Sequence, residues 1–363
     1  MPNIAYITPL FFDEDSYLGG GERYPLNLAK AAAISGSHTV NLVSYGDVPE
    51  ARTVPLVPGV TLSILPAASR RLGAEPLSWD VVDMVADADV VHIHQVFTRS
   101  GEVAMLAAKL AARPVCVTDH GGTSSTLGRS LGVLDLADRV IAYSRFGASL
   151  VSDTDAPVSV VAGGVDDRFF CPLSGERERD SVLFVGRLLP HKGVDRLIAA
   201  MPPDIQLIVC GQPYDPAYFA LLERLAAGKQ VQFVHDCDDE RLRSLYRRAL
   251  AVILPSVYVD YYGRSYGWPE LMGLSLLEGM ACGTPAICSR VGGMPEFVVD
   301  GETGFIYNEL ATLTDAIQKL ADDRQLVDQM GHAGRELVER RFGLGPVGKK
   351  IRSIYDQMVA EPQ

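Results

Sequence analysis

Four charged side chains have the types and spacing of a site that handles an anionic leaving group. Gly186-Arg187 follows the β-rich run SVLFV, and Lys192-Gly193 comes five residues after the arginine, where a helix begins. Arg187 can grip oxygens with a planar fork and Lys192 supplies a compact charge, so together they could take a diphosphate as it departs. The plainer alternative is a surface pair on a strand-to-helix loop. Glu270 and Glu278, with seven residues between them in PELMGLSLLEGMACGTP, form a second pair. The apolar run reads as a helix starting near residues 273–275, which puts Glu278 in its first turns and Glu270 in the loop before it. A carboxylate among Leu276, Leu277, Met280 and Ala281 is costly to bury unless it accepts hydrogen bonds, and vicinal sugar hydroxyls are suitable donors. Helix-start carboxylates favoured by the macrodipole are the alternative; it accounts for Glu270 better than for Glu278.

Other segments offer weaker chemistry. Gly19-Gly20-Gly21 lies between a strand and a helix, where backbone N–H groups can approach a phosphate or sugar with no Cβ in the way, or where the chain simply turns. The run is not G-x-G-x-x-G, and no acidic residue ends a second strand as a dinucleotide site requires. His120 follows the strand run PVCVT in a loop at the carboxyl end of a sheet, where ligands of open α/β folds collect. His92 and His94 alternate along a strand and face one side, but no third metal ligand stands at suitable spacing, so packed histidines are the simpler reading. Of four D-x-D strings, only Asp236-Cys237-Asp238 directly follows a strand, and an acidic helix start explains it. The six cysteines are scattered, with no C-x-x-C pair, as expected of reduced thiols.

The elements that must position these groups follow from pattern and length. At 363 residues, 47% hydrophobic and 21% charged, the chain is long enough for two globular domains and of ordinary composition. Short β-rich runs alternate with helix-period stretches, the appearance of βαβ units and parallel sheets. Strand candidates are residues 3–8, 38–44, 60–65, 89–94, 114–118 and 139–143, then 181–185, 205–210, 231–235, 251–254 and 286–288. A helix is expected from residue 22 to 33, and others at 241–249, 274–281, 310–322, 325–341 and 347–359. The net charge is −12, divided equally between residues 1–165 and the remainder, with no basic patch, so nucleic acid is not an expected partner. No run is long enough to span a membrane, and MPNIAYITPLFF lacks a basic region and cleavage site, so a cytoplasmic location is expected.

With Arg187, Lys192, Glu270 and Glu278 in this order, the chain resembles the retaining glycosyltransferases of family 4. The match spans nearly the whole sequence: GGGERY, DVVHIH, VTDHGG, AYSRFG, VGRLLPHKG, IVCGQP, LPS, ELMGLSLLEGMACGTPAICSRVGGMPE and DGETGFI. The resemblance implies the α/β fold called GT-B, two Rossmann-like doubly wound domains with a deep interdomain cleft. The domains would be residues 1–165, joined by a returning C-terminal helix at 347–363, and residues 166–346, the nucleotide-sugar side. It further implies that Arg187 and Lys192 hold the donor diphosphate, that Glu278 binds the ribose, and that Glu270 contacts the transferred sugar. Gly186 is expected in the donor site, with backbone N–H groups near Gly273, Leu274 and Ser275 touching phosphate. His120 would sit beside the reacting carbon, with Gly20 and Gly21 closing over the donor. No metal or other cofactor is implied, only a nucleotide-diphosphate sugar as co-substrate and a hydroxyl acceptor, saccharide, small molecule or lipid-linked.

The sequence departs from the family pattern between Ser256 and Glu270, where the Tyr- and Gly-rich stretch VYVDYYGRSYGWP is inserted; it should abut the donor sugar, with Tyr262 or Tyr266 available for stacking. The usual Asn is missing before Gly164-Val165-Asp166, and Gly279 replaces the common Ala at a mild helix cost. Base, sugar, acceptor and oligomeric state are not encoded in any motif. A GT-B epimerase or hydrolase, which takes no acceptor, and a non-catalytic sugar-binding protein remain alternatives on sequence grounds.

Overall fold

Apolar runs bounded by turns become buried parallel strands in both halves of the chain. The computed structural model describes residues 1–9, 20–67, 76–119, 132–151, 154–173 and 179–360. The chain divides into two units, Met1–Gly164 with Leu344–Gln363, and Val165–Gly343. The sequence placed these boundaries at 165/166 and 346/347. Val165 falls on the second side because its N–H donates to the Phe342 carbonyl, and it bridges Gly343.

The first unit runs β1 (Asn3–Ile7), α1 (Gly20–Ala33), β2 (Thr39–Gly46), β3 (Arg52–Val57), β4 (Val60–Pro66), α2 (Val81–Ala86), β5 (Val90–His94), α3 (Arg99–Leu110), β6 (Val115–Thr118), β7 (Arg139–Ala142), α4 (Arg145–Ser149) and β8 (Val158–Val160). Its sheet has the order β3-β4-β2-β1-β5-β6-β7-β8, parallel except for β3 against β4. The two strands not anticipated, β3 and β8, are both at edges. β3 is largely exposed and β8 has only three residues, so neither leaves a buried apolar signature.

The second unit runs β9 (Ser181–Val185), α5 (Val194–Ala200), β10 (Gln206–Cys210), α6 (Pro216–Ala226), β11 (Val231–Val234), α7 (Asp239–Arg248), β12 (Ala249–Leu254), α8 (Leu274–Ala281), β13 (Ala286–Ser289), β14 (Gly304–Tyr307), α9 (Leu310–Asp322) and α10 (Arg324–Arg341). The sheet order β11-β10-β9-β12-β13-β14 is parallel throughout. The order reverses at β9, the kind of switch point beside which open α/β sheets place ligands.

The final helix α11 (Leu344–Ala360) belongs to the first unit. Its Arg352 donates to the Ala31 carbonyl of α1 at 2.8 Å, and its Tyr355 hydroxyl lies 2.5 Å from that of Tyr6 and 2.8 Å from His92 Nδ1. His92 also meets Thr118 through Nε2 at 2.8 Å and stacks on His94 with ring centroids 4.2 Å apart. Both rings are buried, so this pair is part of the packing between sheet and helix. No helix among the described residues is long and apolar enough to cross a membrane.

Candidate active site

The chain leaves β9 through Gly186 and presents the exposed Arg187, whose guanidinium carbon lies 5.9 Å from the centre of the Tyr214 ring. A single 3-10 turn, Pro190–Lys192, precedes α5, so the helix starts at Val194, just after the Lys192-Gly193 start read from the sequence. Pro190 presets the turn, and Gly193 closes it at φ 68. A Cβ on Gly193 would stand 2.2 Å from the Pro255 carbonyl oxygen, so only glycine lets this turn seat on the end of β12.

Seated there, Lys192 points at Glu270: Nζ lies 2.5 Å from Oε2, and each side chain is 14% exposed. The sequence reading gave Lys192 a partner only in an arriving phosphate; the structure gives it a carboxylate first. The pair is held by charge attraction in a partly desolvated setting, where an uncompensated charge would be costly. Beside it, His191 is driven down to about 4 by burial, then by the Lys192 and Arg187 charges, with Glu270 and Asp260 opposing. That ring is therefore neutral at pH 7, and Arg187, Lys192, Glu270 and Asp260 all lie within electrostatic reach of it.

Gly273, at φ 93, turns the chain into α8 and offers no side chain to cap it. An α-helix leaves its first N–H groups without intrahelical acceptors, so Leu274 and Ser275 open a helix end suited to an anion. Glu278 is 2% exposed on this helix, and its Oε2 accepts from the Tyr246 hydroxyl of α7 at 2.8 Å. A protein donor thus helps to satisfy the carboxylate, a role the sequence reading had reserved for sugar hydroxyls.

The inserted segment folds on itself. Val259 and Ser265 form an antiparallel bridge, and the Gly263 N–H donates to the Asp260 carbonyl to close a turn. The Asp260 carboxylate accepts from the N–H groups of Tyr262 and Arg264 and from the Tyr266 hydroxyl, at 2.8, 2.9 and 2.9 Å. Burial alone would raise its carboxyl, but these hydrogen bonds outweigh burial and lower it. The string Asp260-Tyr261-Tyr262-Gly263, with Asp first and Gly fourth, was a readable turn signal. Tyr246 and Tyr258 carried no such mark.

In the first unit, Gly20 and Gly21 are the first residues of α1 and not its preceding loop. Glu22 suits the positive end of α1, and Pro25, the sixth residue of the helix, cannot donate to the Gly21 carbonyl, so α1 lacks that one intrahelical hydrogen bond. His120 lies outside the described residues, as does Gly19. Asp238 caps α7 by accepting from the Arg241 N–H, which accounts for that D-x-D string structurally. Among the described residues, no group of three or more His, Cys, Asp or Glu is placed to hold a metal.

Residues 18–169 match the family model described as glycosyltransferase family 4, and residues 173–337 match that of glycosyl transferases group 1. A D-inositol 3-phosphate glycosyltransferase of Kribbella flavida is 30% identical over 351 residues, covering 80% of this chain and 79% of the relative. The chain belongs to glycosyltransferase family 4. It is an enzyme of that retaining family, as its ordered motifs implied. An alpha-maltose-1-phosphate synthase of Mycolicibacterium smegmatis is 28% identical over 355 residues, 84% of this chain and 87% of that one. Sucrose-phosphate synthase from Thermosynechococcus elongatus superposes with a TM-score of 0.75 over 99% of this chain and all of that one, at 22% identity. The Anabaena protein HepE, solved with UDP and glucose, gives 0.74 over 98% of this chain and all of that one, at 19% identity. Those likenesses show the fold, and it is GT-B.

Proposed function

We propose that the second unit binds a nucleoside-diphosphate sugar, with the diphosphate at Arg187, Lys192 and the start of α8, the ribose at Glu278 and the sugar at Glu270. The observation that carries this reading is the Lys192–Glu270 contact. The leaving phosphate and the transferred sugar are joined by the one bond that breaks, so a cation for the first and a carboxylate for the second must be neighbours. As that bond breaks, its electrons pass to the diphosphate oxygen, where the two cations stabilise the growing charge; one such donor is worth about 3 to 4 kcal/mol. Glu270 accepts from sugar hydroxyls and holds the Lys192 ammonium in place. No metal ion is required in this scheme.

The six cysteines are free thiols, which fits a reducing cytoplasm. The negative charge of residues 1–165 disfavours docking on anionic lipid, so the acceptor is a saccharide or small metabolite hydroxyl in preference to a lipid-linked one. Thermal shifts with UDP, GDP, ADP and dTDP test the reading. The matching nucleotide at about 100 times its Kd should add roughly 2.7 kcal/mol of stability. Mass spectrometry should then show the corresponding sugar donor consumed. No shift with any of the four and no consumption of any donor would defeat the proposal.

A further inference from the structure

The insertion after β12 contacts His191, the residue before Lys192, and the turn that lies on the Glu270 backbone. On the lysine side, the Val257 N–H donates to the His191 carbonyl at 2.9 Å, and the Tyr266 ring lies 4.9 Å from the His191 imidazole. On the glutamate side, the Tyr258 hydroxyl accepts the Gly292 N–H at 2.9 Å. The next N–H, that of Gly293, donates to the Glu270 carbonyl at 3.0 Å. A Cβ on Gly292 would stand 1.9 Å from that same carbonyl oxygen, so this turn lies directly on the Glu270 backbone. The insertion also ends at Pro269, directly before Glu270. At its centre, the Asp260 carboxylate is 5% exposed and holds Tyr266 and the turn in one arrangement.

We infer that Tyr258, Asp260 and Tyr266 are positioning residues that fix where the Glu270 carboxylate stands, and so determine which sugar is transferred. This rests on the proposed reading of that pair as the sugar end of a donor site. A carboxylate that recognises hydroxyls discriminates between sugars only while its position is held, because a displaced acceptor serves either epimer equally poorly.

The test uses the full-length enzyme with a panel of nucleoside-diphosphate hexoses that share the matching base and differ at single hydroxyls. Tyr258→Phe removes one oxygen and keeps the ring, while Asp260→Asn and Tyr266→Phe loosen the turn. Each should lower kcat on the preferred sugar about 10-fold and shrink the kcat/KM preference between sugars by a similar factor. Affinity for the free nucleoside diphosphate should be unchanged by calorimetry. An insertion that served stability alone would lower Tm and leave the sugar preference intact. Should Asp260→Asn fail to fold, Tyr258→Phe, on the exposed side of the turn, still decides. If the wild type turns over donors and Tyr258→Phe matches it in kcat and preference, this inference falls while the proposed function stands. Parallel loss of nucleoside diphosphate affinity would also overturn it. A wild type that consumes no nucleotide sugar overturns both.

Discussion

Gly279→Ala sets helix propensity against packing, and the structure decides the sign. In a helix interior alanine is better than glycine by about 1 kcal/mol, so propensity alone makes the substitution stabilising. A Cβ at this position would lie 2.4 Å from Val252 Cγ1, 3.0 Å from Val252 Cβ and 3.5 Å from Tyr246 Cδ1. Val252 is fully buried on β12, a strand paired on both sides, and its branched side chain has little freedom to turn away. Overpacking of this kind costs about 1 to 3 kcal/mol, which cancels or exceeds the propensity gain. Taken as a net loss of about 1 kcal/mol, Tm should fall by roughly 2 to 4 °C, where propensity alone would raise it by a similar amount. The neighbouring Glu278 and its Tyr246 partner would shift with the helix, so nucleoside diphosphate affinity should fall as well. Scanning calorimetry and titration calorimetry read the two effects. In a Val252→Ala background the space exists, and Gly279→Ala should become stabilising, a coupling of about 1 to 3 kcal/mol. A rise in Tm for the single variant with unchanged nucleotide affinity would refute the packing argument.

Arg187→Ala and Lys192→Ala should each reduce kcat/KM by about 100-fold or more while the protein remains folded; near-normal turnover in both would remove them from the site. The imidazole of His191, lowered from 6.5 to about 4, makes stability pH-dependent. The unfolded ring takes a proton first, so this contribution is fully present above pH 6.5 and is lost as the pH falls toward 4. Allowing for partial exposure of the ring, the loss by pH 5 is roughly 1 to 2 kcal/mol, and denaturant midpoints should show it in the wild type and not in His191→Gln. Excess EDTA should leave initial rates unchanged, and strong inhibition reversed by Mn²⁺ would contradict the metal-free scheme.

Buried parallel strands announce themselves in sequence as short aliphatic runs, which is why β9, β10, β12 and β13, and α8 through α10, were legible nearly to the residue, while the edge strand β11 was legible through the alternation of VQFV. β3, β8 and β14 were not, because edge strands are half exposed or too short to carry a pattern. The four charged site residues were legible as types at suggestive spacings, but their pairing was not. Lys192 and Glu270 are 78 residues apart and meet only because the turn at Gly193 seats on β12. Glu278 was visible as an anomalous carboxylate in an apolar helix, whereas its partner Tyr246 sits on a different helix with nothing local to mark it. The insertion reads as a departure from family pattern, and its contacts with His191 and with the turn lying on Glu270 emerge only from distances.

The claim that one face of the second unit reads a donor from ribose to sugar is tested most directly by titration calorimetry with the free nucleoside diphosphate on Glu278→Gln and Glu270→Gln, paired with turnover of the intact donor. Glu278→Gln should weaken the diphosphate and the donor alike, since both carry the ribose. Glu270→Gln should bind the diphosphate at least as tightly as the wild type, because Lys192 loses a competing carboxylate, yet turnover should fall steeply, since contacts to the sugar matter most as it distorts toward the transition state. Equal loss of diphosphate affinity in the two variants would contradict the account.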